Sequence, residues 1–474
     1  MKLTENEICF GLVVGTRGFF NSELASGGRK DLTALLDRLG YKYVILPVEA
    51  TPTGSVETID DARKVADLFI ENRKKVTGII VSLPNFGDEL GIVNAIKWAN
   101  LNVPVLVQAS DDEIGKDSIS ERRDAFCGKL SVCNNFYYYG IQFTDTSIHT
   151  CKISSKLFED DIVRFAAVCR VTNGLKNARI GAIGARPAAF QTMRFSEKLL
   201  QSSGITVVPV DMSEILGAAS RVDDNAAALK AKLEAIEAYG KIPSTIAREN
   251  VVKQAKFGVA CEDWIARNDI DAAAFQCWTS IQENYGCASC LTMSMLGDKL
   301  IPSACEVDVC GVVSMYALTL ASGNASALLD WNNNYGEDRN KCVCTHCSNY
   351  PKSFVQNEIE ISNLDILGAS LGAEKCFGAI KGKVKAGPFT YFRIATDDVK
   401  GNIKAYIGEG EYTNDPNQMD GGIAVTKINN LQPLMKYLCK NGFEHHVAMA
   451  RGNVAGIIQE AVDSYLRWDL YRHV

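Results

Sequence analysis

The stretch IDDARKVADLFIENRKKVTGIIVSL, residues 59–83, decides the fold. Its first part, through Lys75, reads as an amphipathic helix, and its last part, VTGIIVSL, as a short buried strand. Outward from it the same alternation repeats. ICFGLVVG (8–15), DLTALLDRLG (31–40) and YKYVILPV (41–48) precede it, and GIVNAIKWANL (91–101) and VPVLVQA (103–109) follow. Short apolar runs separated by amphipathic helices predict a parallel sheet with helices on both faces.

A second unit of this kind begins near residue 177. ARIGAIGARPAAF (178–190) reads as a strand and its loop, TMRFSEKLLQSSG (192–204) as a helix, and ITVVPVDMSEIL (205–216) as the next strand and turn. NVVKQAKFGVACEDWIARND (250–269) is a further helix leading into the strand IDAAAFQCW (270–278). From about 355 the pattern changes to β-type segments, among them CFGAIKGKVKAGPFTYFRIATDD (376–398) and GNIKAYIGEGEYT (401–413), before a final helix, NVAGIIQEAVDSYLRW (453–468). The expected architecture is α/β: two Rossmann-like, doubly wound domains, 1–176 and 177–354, followed by a mainly antiparallel β domain, 355–474.

The composition fits that division. A chain of 474 residues is too long for one core, and 47% hydrophobic with 22% charged residues is that of an ordinary globule. A net charge of −6, with basic residues scattered, gives no footprint for nucleic acid or an anionic membrane surface. No apolar window reaches the length of a membrane span. The N-terminal segment MKLTENEICFGLVVGTRGFF has an acidic interruption before its short apolar run, unlike a signal peptide. Sixteen cysteines spread through apolar contexts read as reduced thiols in a cytoplasm. CVCTHC (342–347) and CASC (287–290) have zinc-like spacings, set against apolar surroundings. GLVVGTRG and GAIGARPAAF complete neither a dinucleotide fingerprint nor a P-loop.

Only five histidines occur: His149, His346, His445, His446 and His473. CTHCSNYP holds His346, FEHHVAMARG holds His445 and His446, and LLDWNNNYG places Asp330 after an apolar run. ACEVDVCG (304–311) sets Glu306 and Asp308 among small and apolar residues, where a charge is costly to bury. Two carboxylates and two imidazole segments make a plausible oxygen and nitrogen site for a divalent ion of the Mn²⁺, Mg²⁺ or Co²⁺ type. The alternative, that these are unrelated residues, stays open on spacing alone, since no HExxH pair appears.

GARPAAFQTMRFSEKLL (184–200), PSACEVDVCGVVSMYAL (302–318), ALLDWNNNYGEDRNKCVCTHCSNYP (327–351), IGEGEYTNDP (407–416) and FEHHVAMARGNVA (443–455) together resemble the L-fucose/L-arabinose isomerase family, in its order. The resemblance implies Mn²⁺-dependent aldose–ketose isomerisation through a cis-enediol. It implies Glu306, Asp330 and His446 as metal ligands, with Glu306 and Asp330 also the catalytic acid and base, and His445 on substrate. His346 corresponds to a further ligand of the arabinose branch, so His346 and His445 either ligate or support the ligands. Asp308, expected on the opposite face of an extended stretch, is given a supporting role.

Substrate contacts are expected from Arg17, which the family supplies from a neighbouring subunit, and from Arg186, Gln276, Trp278 and Gln282. Arg17 as a surface residue and Arg186 as a structural turn residue are the alternatives. The family default is L-fucose or a related deoxy or pentose sugar. Some members of the wider group isomerise sulfoquinovose to 6-deoxy-6-sulfofructose, which calls for a cationic pocket from Arg17, Arg186 or Arg194. A non-catalytic sugar-binding protein is the reading from another class. The resemblance also implies a homo-oligomer, a hexamer foremost, with active sites between subunits.

Overall fold

The computed structural model describes residues 8–346, 349–417 and 422–474. The chain divides into two compact units: residues 8–174 with Glu460–Arg467, and Leu175–Gln459 with Trp468–Val474.

The first unit is built on a five-stranded parallel sheet. Its strands are β1 (Cys9–Val14), β2 (Lys42–Val44), β3 (Gly78–Leu83), β4 (Val105–Ala109) and β5 (Thr144–Asp145), in the order β2-β1-β3-β4-β5. Every residue of β1, β3 and β4 is buried, as continuous apolar runs require when both faces are covered. Two hydrophobic clusters flank the sheet, one around Val13, Phe69 and Val81, the other around Phe10, Ile80 and Phe165. The helix Ile59–Glu71 starts at a capping box between Thr58 and Asp61, which fixes the boundary inside the opening stretch of sequence. Tyr465, from Glu460–Arg467, shares a 2.7 Å hydrogen bond with Thr144.

The second unit contains two sheets. Strands β6 (Arg179–Ile183), β7 (Thr206–Val210), β8 (Ala272–Phe275) and β9 (Ser303–Ala304) form a parallel sheet in the order β7-β6-β8-β9. The larger sheet contains β10 (Ser326–Tyr335), β11 (Asp338–His346), β12 (Glu360–Asn363), β13 (Phe377–Lys383), β14 (Gly387–Asp397), β15 (Asn402–Tyr412), β16 (Gly422–Lys427), β17 (His446–Arg451) and β18 (Asp469–Arg472). Its order is β12-β13-β16-β11-β10-β17-β14-β15-β18, antiparallel except for the β13–β16 and β15–β18 pairs. The sheet therefore takes in residues 326–346, which the sequence reading grouped with the preceding α/β region.

The helix Val309–Ser322 is apolar all round, and all but its last residue are buried. It packs against β8 and β9 of one sheet and β10, β14 and β17 of the other, so it lies between the two sheets. Two local expectations need correcting. The helix expected over 192–204 is a 3-10 turn, Gln191–Met193, followed by a short helix, Glu197–Ser202, capped by Ser196. The final helix is α-helical over Ala455–Glu460 and continues as a π-helix, Ala461–Leu466. Among the described residues, no helix is long and apolar enough to cross a membrane. The described cysteines form no disulfide; Cys287, Cys290, Cys342 and Cys344 are buried, and Cys347 lies outside the described residues.

Candidate active site

The register of the large sheet brings the first residues together. β10 lies between β11 and β17, and Asp330 is directly opposite His446 across one ladder and Thr345 across the other. Directly opposed residues project from the same face. His446 Nε2 is 3.4 Å from Asp330 Oδ1.

Glu306 arrives from the parallel sheet, and not in the extended form expected. After β9 the chain turns sharply: Glu306 and Val307 have φ of 53° and 54°, in the left-handed region, and Asp308 N–H donates to Cys305 O. For a β-branched residue such as Val307 this conformation is an outlier, and each such residue costs about 1–3 kcal/mol. The turn carries Glu306 toward the large sheet, where its Oε2 is 3.5 Å from His446 Nε2 and 3.6 Å from His346 Nε2. Trp278 Nε1–H donates to the other carboxylate oxygen at 3.2 Å.

The turn also corrects the expectation for Asp308. It does not point away from the site on the far side of a strand. It caps the helix Val309–Ser322, accepting from Gly311 N–H at 2.8 Å, and it accepts from His446 Nδ1 at 2.8 Å. Burial works against its charged form, yet the Arg393 guanidinium and the His446 ring hold its carboxyl well below the usual carboxylate range. An ionised carboxylate only accepts, so Nδ1 carries the proton and Nε2 presents a lone pair toward Glu306 and Asp330. Burial also lowers the His446 pKa, favouring the neutral ring.

Arg393 of β14 is fully buried behind this pair. It makes a two-pronged ion pair with Asp308, with Nη2 donating to Oδ1 at 3.0 Å, and its Nε donates to Glu444 at 3.3 Å. Burial opposes its charge, but Asp308 and Glu444 hold the guanidinium above its ordinary pKa, while burial pushes the Glu444 carboxyl up. Gly311 leaves room for the pair. A Cβ there would stand 2.2 Å from Asp308 Oδ2 and 2.8 Å from Arg393 Nη1. Glycine inside a helix costs about 1 kcal/mol relative to alanine.

These side chains fit a metal ion. Glu306, His346 and His446 offer ligand atoms within 4.8 Å of one another, as do Asp330, His445 and His446. An ion with bonds of about 2.1 Å separates its ligand atoms by about 3.0 Å in an octahedron and about 3.4 Å in a tetrahedron. The 3.4 and 3.5 Å spacings around His446 Nε2 lie at and just above the upper end of that range. Asp330 Oδ1 is buried and has no hydrogen-bond partner among the described residues, although part of its side chain reaches solvent. His445 is the most open of the group, 40% exposed and 3.9 Å from Asp330.

Phe190 closes one side, edge-on to Trp278 at 5.4 Å and to His445 at 5.7 Å. Arg186 shapes the loop that carries it: one guanidinium nitrogen donates to the carbonyls of Pro187 and Phe190, both at 2.9 Å. Gln282 is buried and donates to Cys277 O. Gln276 accepts from Ala185 N–H and lines a cleft with Gly184, Asp211, Ser280 and Asn284 at the strand ends of the parallel sheet. Arg17 belongs to the other unit, where it pairs with Asp88 and Glu89 and lies over the Phe86 ring. Phe190, Arg393 and Glu444 were not singled out from sequence. A lone arginine inside the largely apolar run TYFRIA is a signal that could have drawn attention to Arg393.

Comparison with known proteins agrees with both ends of the chain. Residues 11–176 match the fucose/sulfoquinovose isomerase N-terminal domain family, and residues 344–473 match the L-fucose isomerase C-terminal domain family. Among curated proteins, a sulfoquinovose isomerase of Alkalicoccus urumqiensis is 27% identical over 306 residues, covering 63% of this chain and 66% of the relative. The sulfoquinovose isomerase of Priestia megaterium is 26% identical over 305 residues, covering 63% and 65%. That of Clostridium sp. strain MSTE9 is 26% identical over 294 residues, covering 61% and 64%. The chain thus spans 64–66% of the length of these relatives.

Proposed function

The chain belongs to the fucose isomerase-like family, and on that premise we propose that it is a metal-dependent aldose–ketose isomerase whose substrate is sulfoquinovose, converted to 6-deoxy-6-sulfofructose. The observation that carries the reaction class is the convergence of Glu306 and Asp330 on one lone pair of His446, at 3.5 and 3.4 Å. The substrate is supported by the names of the curated relatives. An L-fucose-type or pentose substrate is the second reading, favoured by the match of residues 344–473 to an L-fucose isomerase domain.

Isomerisation moves one proton between C2 and C1 of the open-chain sugar and another between their oxygens, through a cis-enediol. Glu306 and Asp330 share these transfers as base and acid, and the roles exchange in the reverse direction. Trp278 N–H steadies the Glu306 carboxylate, and Trp278 and Phe190 provide an apolar wall against which the carbon chain of the open sugar can rest. His445, the open member of the group, offers a donor to a sugar hydroxyl. Glu306, Asp330 and His446, with His346 as a further ligand, would hold a divalent cation, which would supply Lewis-acid polarisation of the carbonyl; Mn²⁺ is the first choice and Co²⁺ or Mg²⁺ the alternatives. A homo-oligomer, a hexamer foremost, belongs to the same proposal, with Arg17 offered to a neighbouring site.

The test is deuterium exchange. Mn²⁺-loaded protein in D₂O is given sulfoquinovose, L-fucose, D-arabinose or L-arabinose, with EDTA-stripped protein and Glu306→Gln alongside, and NMR follows ketose formation and solvent deuterium at the sugar. Conversion of sulfoquinovose, lost on stripping and in the variant, is expected. Conversion of only an unsulfonated sugar replaces the substrate assignment. Absence of metal binding overturns the ligand set.

A further inference from the structure

We propose that Arg393 is a positioning residue for this site: its two-pronged grip holds the Asp308 carboxylate where it receives Nδ1–H of His446, and so fixes the ring with Nε2 turned toward Glu306 and Asp330. The inference rests on the metal-site reading above and adds to it a residue that touches neither ligand carboxylate.

The geometry forms a chain of three contacts. Arg393 donates through both terminal nitrogens to Asp308, one to each carboxylate oxygen. Asp308 Oδ2, one of the two atoms so held, is the oxygen that His446 Nδ1 meets at 2.8 Å. Asp308 Oδ1 also accepts from Gly311 N–H, so its carboxylate plane is set by a guanidinium on one side and a helix terminus on the other. The guanidinium is itself anchored through Nε by Glu444, two residues before His446. The segments 308–311, 393 and 444–446 come from separate parts of the sequence, and the network joins them behind a single imidazole.

Stability alone does not account for this arrangement. Burying a charged pair sets a desolvation penalty against the Coulomb gain, and apolar replacements of similar volume are often as stable. Gly311 leaves the room this placement needs, since a Cβ there would collide with both Asp308 and Arg393. A guanidinium offers a planar fork that an ammonium does not, so the claim separates Arg from Lys at this position.

The experiment compares wild type, Arg393→Lys and Arg393→Gln, with Glu306→Gln as the control for the metal reading. Mn²⁺ affinity is measured by electron paramagnetic resonance titration. The ring nitrogens of His446 are followed by magic-angle-spinning NMR on metal-free protein labelled with ¹⁵N-histidine, with His446→Gln identifying the signal. Wild type should show a single tautomer protonated at Nδ1. Arg393→Lys should bind Mn²⁺ about 10–100-fold more weakly while remaining folded, since loss of the partner behind a metal-ligating histidine costs that much, and its His446 signals should report mixed tautomers. Arg393→Gln should weaken binding at least as much; if it does not fold, Arg393→Lys decides. An Arg393→Lys protein with wild-type affinity and an unchanged His446 spectrum overturns the proposal. If wild type and Glu306→Gln bind Mn²⁺ equally poorly, the metal reading fails, and the NMR comparison still decides whether Arg393 orients the ring.

Discussion

The central strands β1, β3 and β4 of the first unit and the neighbourhood of His446 are both buried, and they are buried in opposite ways. β1, β3 and β4 contain no charged residue. Their inward polar groups are neutral and matched, with Ser82 donating to Gln108 and Gln108 to Cys151 O. Around His446, by contrast, Glu306, Asp308, His346 and Arg393 are all enclosed. Apolar burial stabilises by about 25 cal/mol per Å², whereas each enclosed charge needs a partner to avoid a penalty of several kcal/mol. One region is built from the interactions that fold a chain most simply. The other keeps groups whose enclosure opposes folding unless each is compensated, which is how a site for chemistry differs from a core.

The largest effect that separates the two regions is expected at Glu306. Under the acid–base role proposed for it, Glu306→Gln should lower isomerase turnover by about 10²–10⁴-fold, the usual contribution of a positioned acid–base group. The melting temperature of the metal-free protein should not fall, because the change removes a buried charge. A protein that loses activity only in proportion to lost stability would erase the distinction. Asp308→Ala acts the other way: it leaves Arg393 buried with Glu444 as its one remaining acidic partner among the described residues, and removing one partner of a buried pair costs about 3–5 kcal/mol. Urea unfolding measures it, and a cost under 1 kcal/mol would mean the pair is more solvated than its burial indicates.

The fold of the first region was legible because strands covered on both faces read as unbroken apolar runs, and ICFGLVVG and VTGIIVSL are such runs. At the site, Glu306, Asp330, His346 and the His445–His446 pair stood out because charged or imidazole groups sit inside or beside apolar text. The ladder pairing of Asp330 with His446 was not legible, since it depends on a register between strands over a hundred residues apart. Asp308 was assigned to the wrong face for a specific reason: period-two alternation assumes extended backbone, and Glu306 and Val307 are left-handed without being glycine or asparagine, the residues that signal such turns. Arg393 stayed hidden because its partners lie 85 and 51 positions away.

A smaller effect sharpens the comparison from inside the network. Gly311→Ala replaces a poor helix former with the best one in a buried helix, so propensity alone predicts a gain of about 1 kcal/mol. The added Cβ would lie 2.2 Å from Asp308 Oδ2, and the carboxylate is held by Arg393, so it cannot simply swing aside. Overpacking of this kind costs about 1–3 kcal/mol. A net loss in thermal unfolding, accompanied by weaker Mn²⁺ binding, is expected; a net gain would show that the ion pair yields easily.

The smallest effect belongs to the first region and completes the contrast. Ile80, on β3, is fully buried within the cluster that includes Phe10 and Phe165. Ile80→Val removes one methylene from this packing and should cost about 0.5–1.5 kcal/mol in urea unfolding, because the surrounding side chains close the space only partly. It alters no charge, hydrogen bond or ligand atom, so kcat/KM for the converted sugar should stay within about twofold of wild type, a shift of about 0.4 kcal/mol in barrier. A fall in kcat/KM comparable to that of Glu306→Gln would mean that packing in this sheet is coupled to the chemistry. Stability and catalysis could then no longer be assigned to separate regions of the chain.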